Sequence, residues 1–365
     1  MTEPNINRCA VGTEYGNLNN TNNDEIKNSE SNAGLYSNKE NYDPKAARGS
    51  FSRIGFALLA AFAVTVGIQF LLAQLLSVLE RRGSAIVNES WVMWIVSFAP
   101  LYLAGIPVGL LILRGMRAET PRDSSLGAGR MLQLIPMAIA IMYIGNYIGT
   151  ILSSVLSGGT AENGLLQYAL DDSIFRGLVF VILAPLVEEF LFRKQLIDRS
   201  RHYGERTAIV LSSVTFGLFH ANFFQFFYAF GLGLLFAYIY TRTGRLRYSV
   251  MLHMFINFLG GVLAPWIIKQ SGLEVLYQSE AQDISALMEN EETMQGIAVF
   301  GGYVLLVIGI AVAGVILLIL RRKKVYLLAA QEELPKGKVF KTVYLNPGMI
   351  LFILFCAGIM VYSLI

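Results

Sequence analysis

Long apolar runs separated by short charged segments set the pattern of this chain. A helix needs about 20 mostly apolar residues to cross ~30 Å of hydrocarbon. Runs of that kind fall at 54–79, 91–113, 131–156, 174–193, 207–221, 223–241, 248–268, 294–320 and 346–365. The pattern therefore predicts an all-α, polytopic transmembrane bundle of about eight to nine spans. The pair 207–221 and 223–241 is the weakest, with no charge between Arg206 and Arg242 and little more than Asn222 between the two runs. It reads as a tilted hairpin whose turn stays inside protein, the one place where non-helical backbone is tolerated at membrane depth. Residues 1–50 are polar and rich in Asn, Ser, Glu and Lys, too poor in apolar surface to fold, and are expected to form a disordered cytoplasmic tail. The organisation expected is thus a tail (1–50), N-terminal membrane helices (51–128), a helical core (129–268) and C-terminal membrane helices (269–365).

Composition sharpens this picture. Of 365 residues, 54% are apolar and 15% charged, where a soluble domain carries about 25% charged residues. The net charge of +3 is spread over many loops, which argues against nucleic acid as a partner and leaves the lipid bilayer. Cys9 and Cys356, one in the polar tail and one in an apolar run, imply neither a disulfide framework nor a thiolate metal site. Lys and Arg concentrate at 45–53, 114–130, 193–206, 242–247 and 321–341, whereas the alternate loops keep only Arg81, Arg82, Arg176 and Lys269. The positive-inside rule then fits every loop with one orientation, N-terminus cytoplasmic and C-terminus external. The expectation is an integral protein of the plasma membrane. Gly105 with Gly109 and Gly145 with Gly149 have the spacing that lets membrane helices approach closely.

Three polar signatures interrupt the apolar runs. Glu188 and Glu189 are followed by Arg193; Phe216 precedes His220 by four residues; His253 precedes Asn257 by four. Ionisable side chains at bilayer depth are costly and usually face a protein or water cavity where they have a task. Glu189 and Arg193 share a helix face and can pair. Glu188 is turned about 100° away, which leaves it without a predicted partner and makes it the candidate base. Pro185 should loosen the turn before the glutamates. The Phe216 ring can pack beside His220, and His253 and Asn257 share a face. Depth poses a conflict: Glu188 and His253 count out about 8 Å from the inner end of their spans, and His220 about 20 Å.

With their order and intervals, these residues resemble the CPBP family, the CAAX proteases and bacteriocin-processing (Abi) enzymes, marked by EExxxR, FxxxH and HxxxN motifs on successive membrane helices. The resemblance covers about residues 129–268, with Lys194 standing where a glycine often follows the arginine. It implies hydrolysis of a peptide bond in a peptide or protein substrate at the membrane. By position it makes Glu188 the base for a water assisted by His220, gives His253 and Asn257 the oxyanion, and leaves Glu189 and Arg193 to hold the site in shape. No cofactor is required in that scheme, although Glu188, His220 and His253 could also supply three ligands to a catalytic zinc. The chain lacks His-Glu-x-x-His, Gly-x-Ser-x-Gly and Gly-x-Gly-Asp, which sets other intramembrane protease chemistries aside. Two rival readings are a noncatalytic immunity or scaffold protein of the same fold and an ion-coupled transporter. The first is disfavoured by the complete motif set; the second by the clustering of the polar residues toward one side.

Overall fold

The computed structural model describes residues 43–164, 168, 171, 173–272 and 291–365; most of the expected tail lies outside them. Residues Tyr42–Ile365 form one compact unit. Nine principal helices and no strand occur among the described residues. They are α1 (Pro44–Arg81), α2 (Ser90–Leu113), α3 (Ala128–Ser157), α4 (174–200), α5 (Glu205–Phe219), α6 (Phe223–Thr243), α7 (Leu246–Gln270), α8 (Glu291–Arg321) and α9 (Pro347–Tyr362). Each answers to one predicted apolar run. By length and composition six of them can cross a membrane: α1, α2, α3, α6, α7 and α8.

Two boundaries differ from expectation. Helix α1 begins at Pro44 rather than after residue 50, because Asp43 caps it by accepting from Lys45 N at 2.8 Å and Pro44 occupies the first turn, where its missing N–H costs nothing. Residues 44–50 are therefore helix. Helix α4 runs seven residues past Arg193, to Ser200. The charged stretch 194–200 looks like a loop, but Asp198 is buried and accepts from Tyr240 Oη at 2.8 Å, Thr120 Oγ1 at 3.0 Å and Lys194 Nζ at 2.8 Å. That extension sets Glu188 deeper from the end of its helix, closer to the depth of His220.

Close backbone approach organises the bundle. A Cβ on Gly145 would fall 2.5 Å from Tyr228 Cα, and one on Gly149 2.5 Å from the Phe223 carbonyl oxygen, so α3 supports the start of α6 at van der Waals contact. Gly109 does the same for α2 against α1, where a Cβ would lie 3.0 Å from the Ala57 carbonyl. The hairpin turn between α5 and α6 falls at His220–Asn222 as expected. Asn222 caps α6 by accepting from Gln225 N at 2.9 Å and donates to the His220 carbonyl at 2.9 Å. Ala221 between them has φ 52°, a left-handed conformation that costs an L-residue roughly 1–2 kcal/mol.

The basic segments gather at one end. Arg53 donates to the carbonyls of Ile112 and Arg114, Arg117 pairs with Glu119 and with Glu332, and Glu205 takes Arg201 at 3.0 Å together with Arg242. At the other extreme of packing, only 6% of the apolar window of α8 is buried against protein. An apolar helix left so bare needs a nonaqueous surrounding, and with the other long apolar helices it marks an integral membrane protein.

Candidate active site

Three helices bring the polar signatures together. Helix α4 changes its winding around the glutamates: the turns Arg176–Leu183 and Phe190–Ile197 are π-helical and flank an α-helical stretch at Ala184–Glu189. Widened turns of this kind recur at functional sites because they re-aim side chains. Glu189 and Arg193 form the expected i, i+4 pair at 3.0 Å, and both side chains are fully buried. The arginine has further support. Its second terminal nitrogen donates to Ser212 Oγ at 3.0 Å, Ser212 donates to the Phe192 carbonyl at 2.7 Å, and the guanidinium lies 4.7 Å from the Phe216 ring centroid and 5.7 Å from that of Phe236.

His253 on α7 ties the site together. Its Nδ1 donates to Glu189 Oε1 at 3.2 Å, and its Nε2 faces Glu188 Oε2 at 3.7 Å. Glu188 is thus not the partnerless carboxylate that helical phase alone suggested. An imidazole has nitrogens on two edges, so one ring inserted from a neighbouring helix meets glutamates that point in different directions. The two contacts differ in kind. The first is a hydrogen bond; the second is too long for one and leaves a gap. Glu188 also keeps 22% of its side-chain surface exposed, against 6% for His253 and none for Glu189, so the open edge of the cluster is its edge.

His220 ends α5 with its Nδ1 2.8 Å from the Phe216 carbonyl. A carbonyl only accepts, so Nδ1 carries the proton and Nε2 presents its lone pair. Phe216 stands edge-on to both imidazoles, with centroid separations of 4.9 Å to His220 and 5.8 Å to His253. The aromatic of the second motif is therefore the spacer between the two histidines as well as a face for Arg193. Asn257 is placed differently. Its Nδ2 donates to the Phe180 carbonyl at 2.9 Å, within the first widened turn of α4, where a backbone acceptor is freed. That contact uses one of its two amide hydrogens and pins α7 to α4.

Ser212, Phe236 and the Phe180 carbonyl are members of the site that the motifs did not disclose. Ser212 lies seven residues after Glu205, and its small polar side chain in an apolar helix was the available signal. As for a metal, no group of three His, Cys, Asp or Glu among the described residues is placed to hold one. His220 and His253 each spend Nδ1 on a protein acceptor and leave Nε2 open.

The fold and site define an all-helical integral membrane protein with a buried Glu–Arg–His cluster walled by α4, α5 and α7. Residues 171–259, which hold all three motifs, match the family described as Type II CAAX prenyl endopeptidase Rce1-like. The chain is 28% identical over 166 residues to the membrane peptidase YdiL of Bacillus subtilis, covering 43% of this chain and 66% of that protein. It is 27% identical over 208 residues to the membrane-embedded CAAX protease MroQ of Staphylococcus aureus, covering 52% and 83%. The chain thus spans just under two thirds of the first relative's length. No solved structure matches. These matches support the same family as the motifs do, the CPBP proteases.

Proposed function

We propose that the chain is an intramembrane endopeptidase that hydrolyses a peptide bond of a membrane-associated or lipidated peptide or protein, with Glu188 as the base. One observation carries the reading: Glu188 Oε2 and His253 Nε2 stand 3.7 Å apart at the exposed edge of an otherwise occluded cluster. With Nδ1 donating to Glu189, the His253 ring offers a lone pair on Nε2 when that nitrogen carries no proton. Two acceptors at that separation suit one water that donates a hydrogen to each and turns its own lone pair outward.

In the reaction the water oxygen attacks the scissile carbonyl carbon as its proton passes to Glu188. Collapse of the tetrahedral intermediate breaks the C–N bond, and Glu188 returns the proton to the leaving amine. The second N–H of Asn257 is a candidate donor to the oxyanion, a role that depends on donors fixed in place beforehand. His220 Nε2, with Nδ1 held by the Phe216 carbonyl, is a further acceptor to assist the base. Glu189, Arg193 and Ser212 act through His253, holding its tautomer and its height. No step runs through a metal.

The gathering of the basic loops at one end supports that end being cytoplasmic, with the N-terminus on the same side and the protein in the plasma membrane. Comparative peptidomics of membranes carrying the wild type or Glu188→Ala tests the function. Peptides that disappear in the variant identify the substrate; identical peptide pools with equal amounts of inserted protein would remove the assignment of Glu188 as base.

A further inference from the structure

A second polar cavity lies away from the glutamates, at the basic end where α1 begins. It encloses about 360 Å³. Ala46, Gly49, Ser50 and Arg53 form one wall, and their spacing of three and four residues puts them on a single face of α1. Arg199 at the end of α4 and His202 and Tyr203 just beyond it form the opposite wall.

Charge in this cavity is unbalanced. Arg117 and Glu332, which also line it, answer each other at 2.6 Å. Arg53 and Arg199 have no such partner: among the described residues neither has a carboxylate within ion-pair distance. Arg53 donates to the carbonyls of Ile112 and Arg114, and Arg199 to those of Leu113 and Gln195 and to the Gln195 side chain. Arg199 feels the Asp198 carboxylate and, as a smaller effect, repulsion from Arg53. Asp198, the nearest acid in sequence, is held by Lys194, Thr120 and Tyr240. His202 is 6% exposed, and its Nδ1 has no hydrogen-bond partner. A buried, unpaired imidazole nitrogen costs about 1–3 kcal/mol unless something meets it. The Ser50 and Tyr203 hydroxyls bond each other at 3.2 Å, which leaves one of their two hydrogens to donate elsewhere.

We infer that this cavity binds a phosphate group, held by Arg53 and Arg199 with the His202 imidazole and the Ser50 and Tyr203 hydroxyls. Two guanidiniums left with only neutral acceptors are a fitting charge set for an oxyanion. The group can come from an acidic phospholipid headgroup, since the cavity opens where the apolar spans start, or from free phosphate.

Thermal unfolding of the full chain in micelles, titrated with inorganic phosphate, dioctanoyl phosphatidylglycerol or dioctanoyl phosphatidylcholine, tests this. The control is Gly49→Leu, which keeps every charge and fills the mouth, because a Cβ there meets nothing within 4 Å. A second variant, Arg199→Gln, removes one guanidinium. An occupied site should raise the midpoint by about 2–4 °C at ten times the dissociation constant, and both variants should lose the rise. A response to phosphate and phosphatidylglycerol alike identifies a site for the free anion. A response to phosphatidylglycerol alone identifies the headgroup. No response to either, a response retained in Gly49→Leu, or an equal response to phosphatidylcholine overturns the proposal.

Discussion

Two buried polar clusters in this protein differ in how fully their carboxylates are engaged. At the basic end, both oxygens of Asp198 and both of Glu205 accept hydrogens: Asp198 from Tyr240, Thr120 and Lys194, Glu205 from Arg201, Arg242 and Leu328 N. In the membrane interior, Glu189 takes Arg193 and His253 on Oε1 alone, with its buried Oε2 unpartnered, and Glu188 meets His253 Nε2 only across 3.7 Å. A buried network that serves only to join helices gains by satisfying every member. One that must bind and activate a small molecule needs a vacancy. The clusters differ in these unfilled positions, at Glu189 Oε2 and at Glu188, of which the one at Glu188 lies on the exposed edge.

The comparison can be broken at several points. Replacing Arg193 by Ala strands Glu189 in a fully buried place, where losing one partner of an ion pair costs about 3–5 kcal/mol. Denaturation in micelles should show that loss, together with loss of cleavage; near-wild-type stability would mean that Arg193 does not support the cluster. Glu188→Gln should separate the two properties. Cleavage should fall by about 10²–10⁴-fold, the usual worth of a general base, while stability moves by no more than about 0.5 kcal/mol; a large stability change would make Glu188 a structural residue. Asp198→Asn is the mirror image, with about 1–3 kcal/mol of stability lost and turnover per folded molecule unchanged. A smaller effect comes from His202. Burial holds its imidazole below the ordinary histidine value, so the unfolded chain binds the proton more readily. The stability it contributes is complete above the unfolded value of about 6.5 and is lost as pH falls through the lower folded value. His202→Phe should flatten the midpoint-against-pH curve over that window.

Much of the bundle was readable because lipid imposes length. Nine apolar runs became nine helices, the α5–α6 hairpin turned at Asn222, and Gly145 and Gly149 met a neighbouring backbone. What periodicity does not carry is long-range insertion. Helical phase separates Glu188 from Glu189, and nothing in that count reveals that one ring of α7 would reach both. The widened turns of α4 leave no mark in hydropathy, so the acceptor that Asn257 finds at Phe180 could not be anticipated. Residues 194–200 misled for a different reason. Lys194 and Asp198 pair with each other and Arg199 finds neutral acceptors, while Leu196 and Ile197, both fully buried, continue the apolar face of α4.

The glycine contacts of α3 have a mechanical consequence. Because α6 rests backbone to backbone on α3 at Gly145 and Gly149, at those two points no compressible side chain lies between the helix that follows the His220 turn and its support. Stretching or thinning the surrounding lipid should tilt the two as one piece, carrying the His220 turn with them. Turnover measured in vesicles of different acyl-chain length should then stay flat, and a steep dependence would show that the hairpin slides.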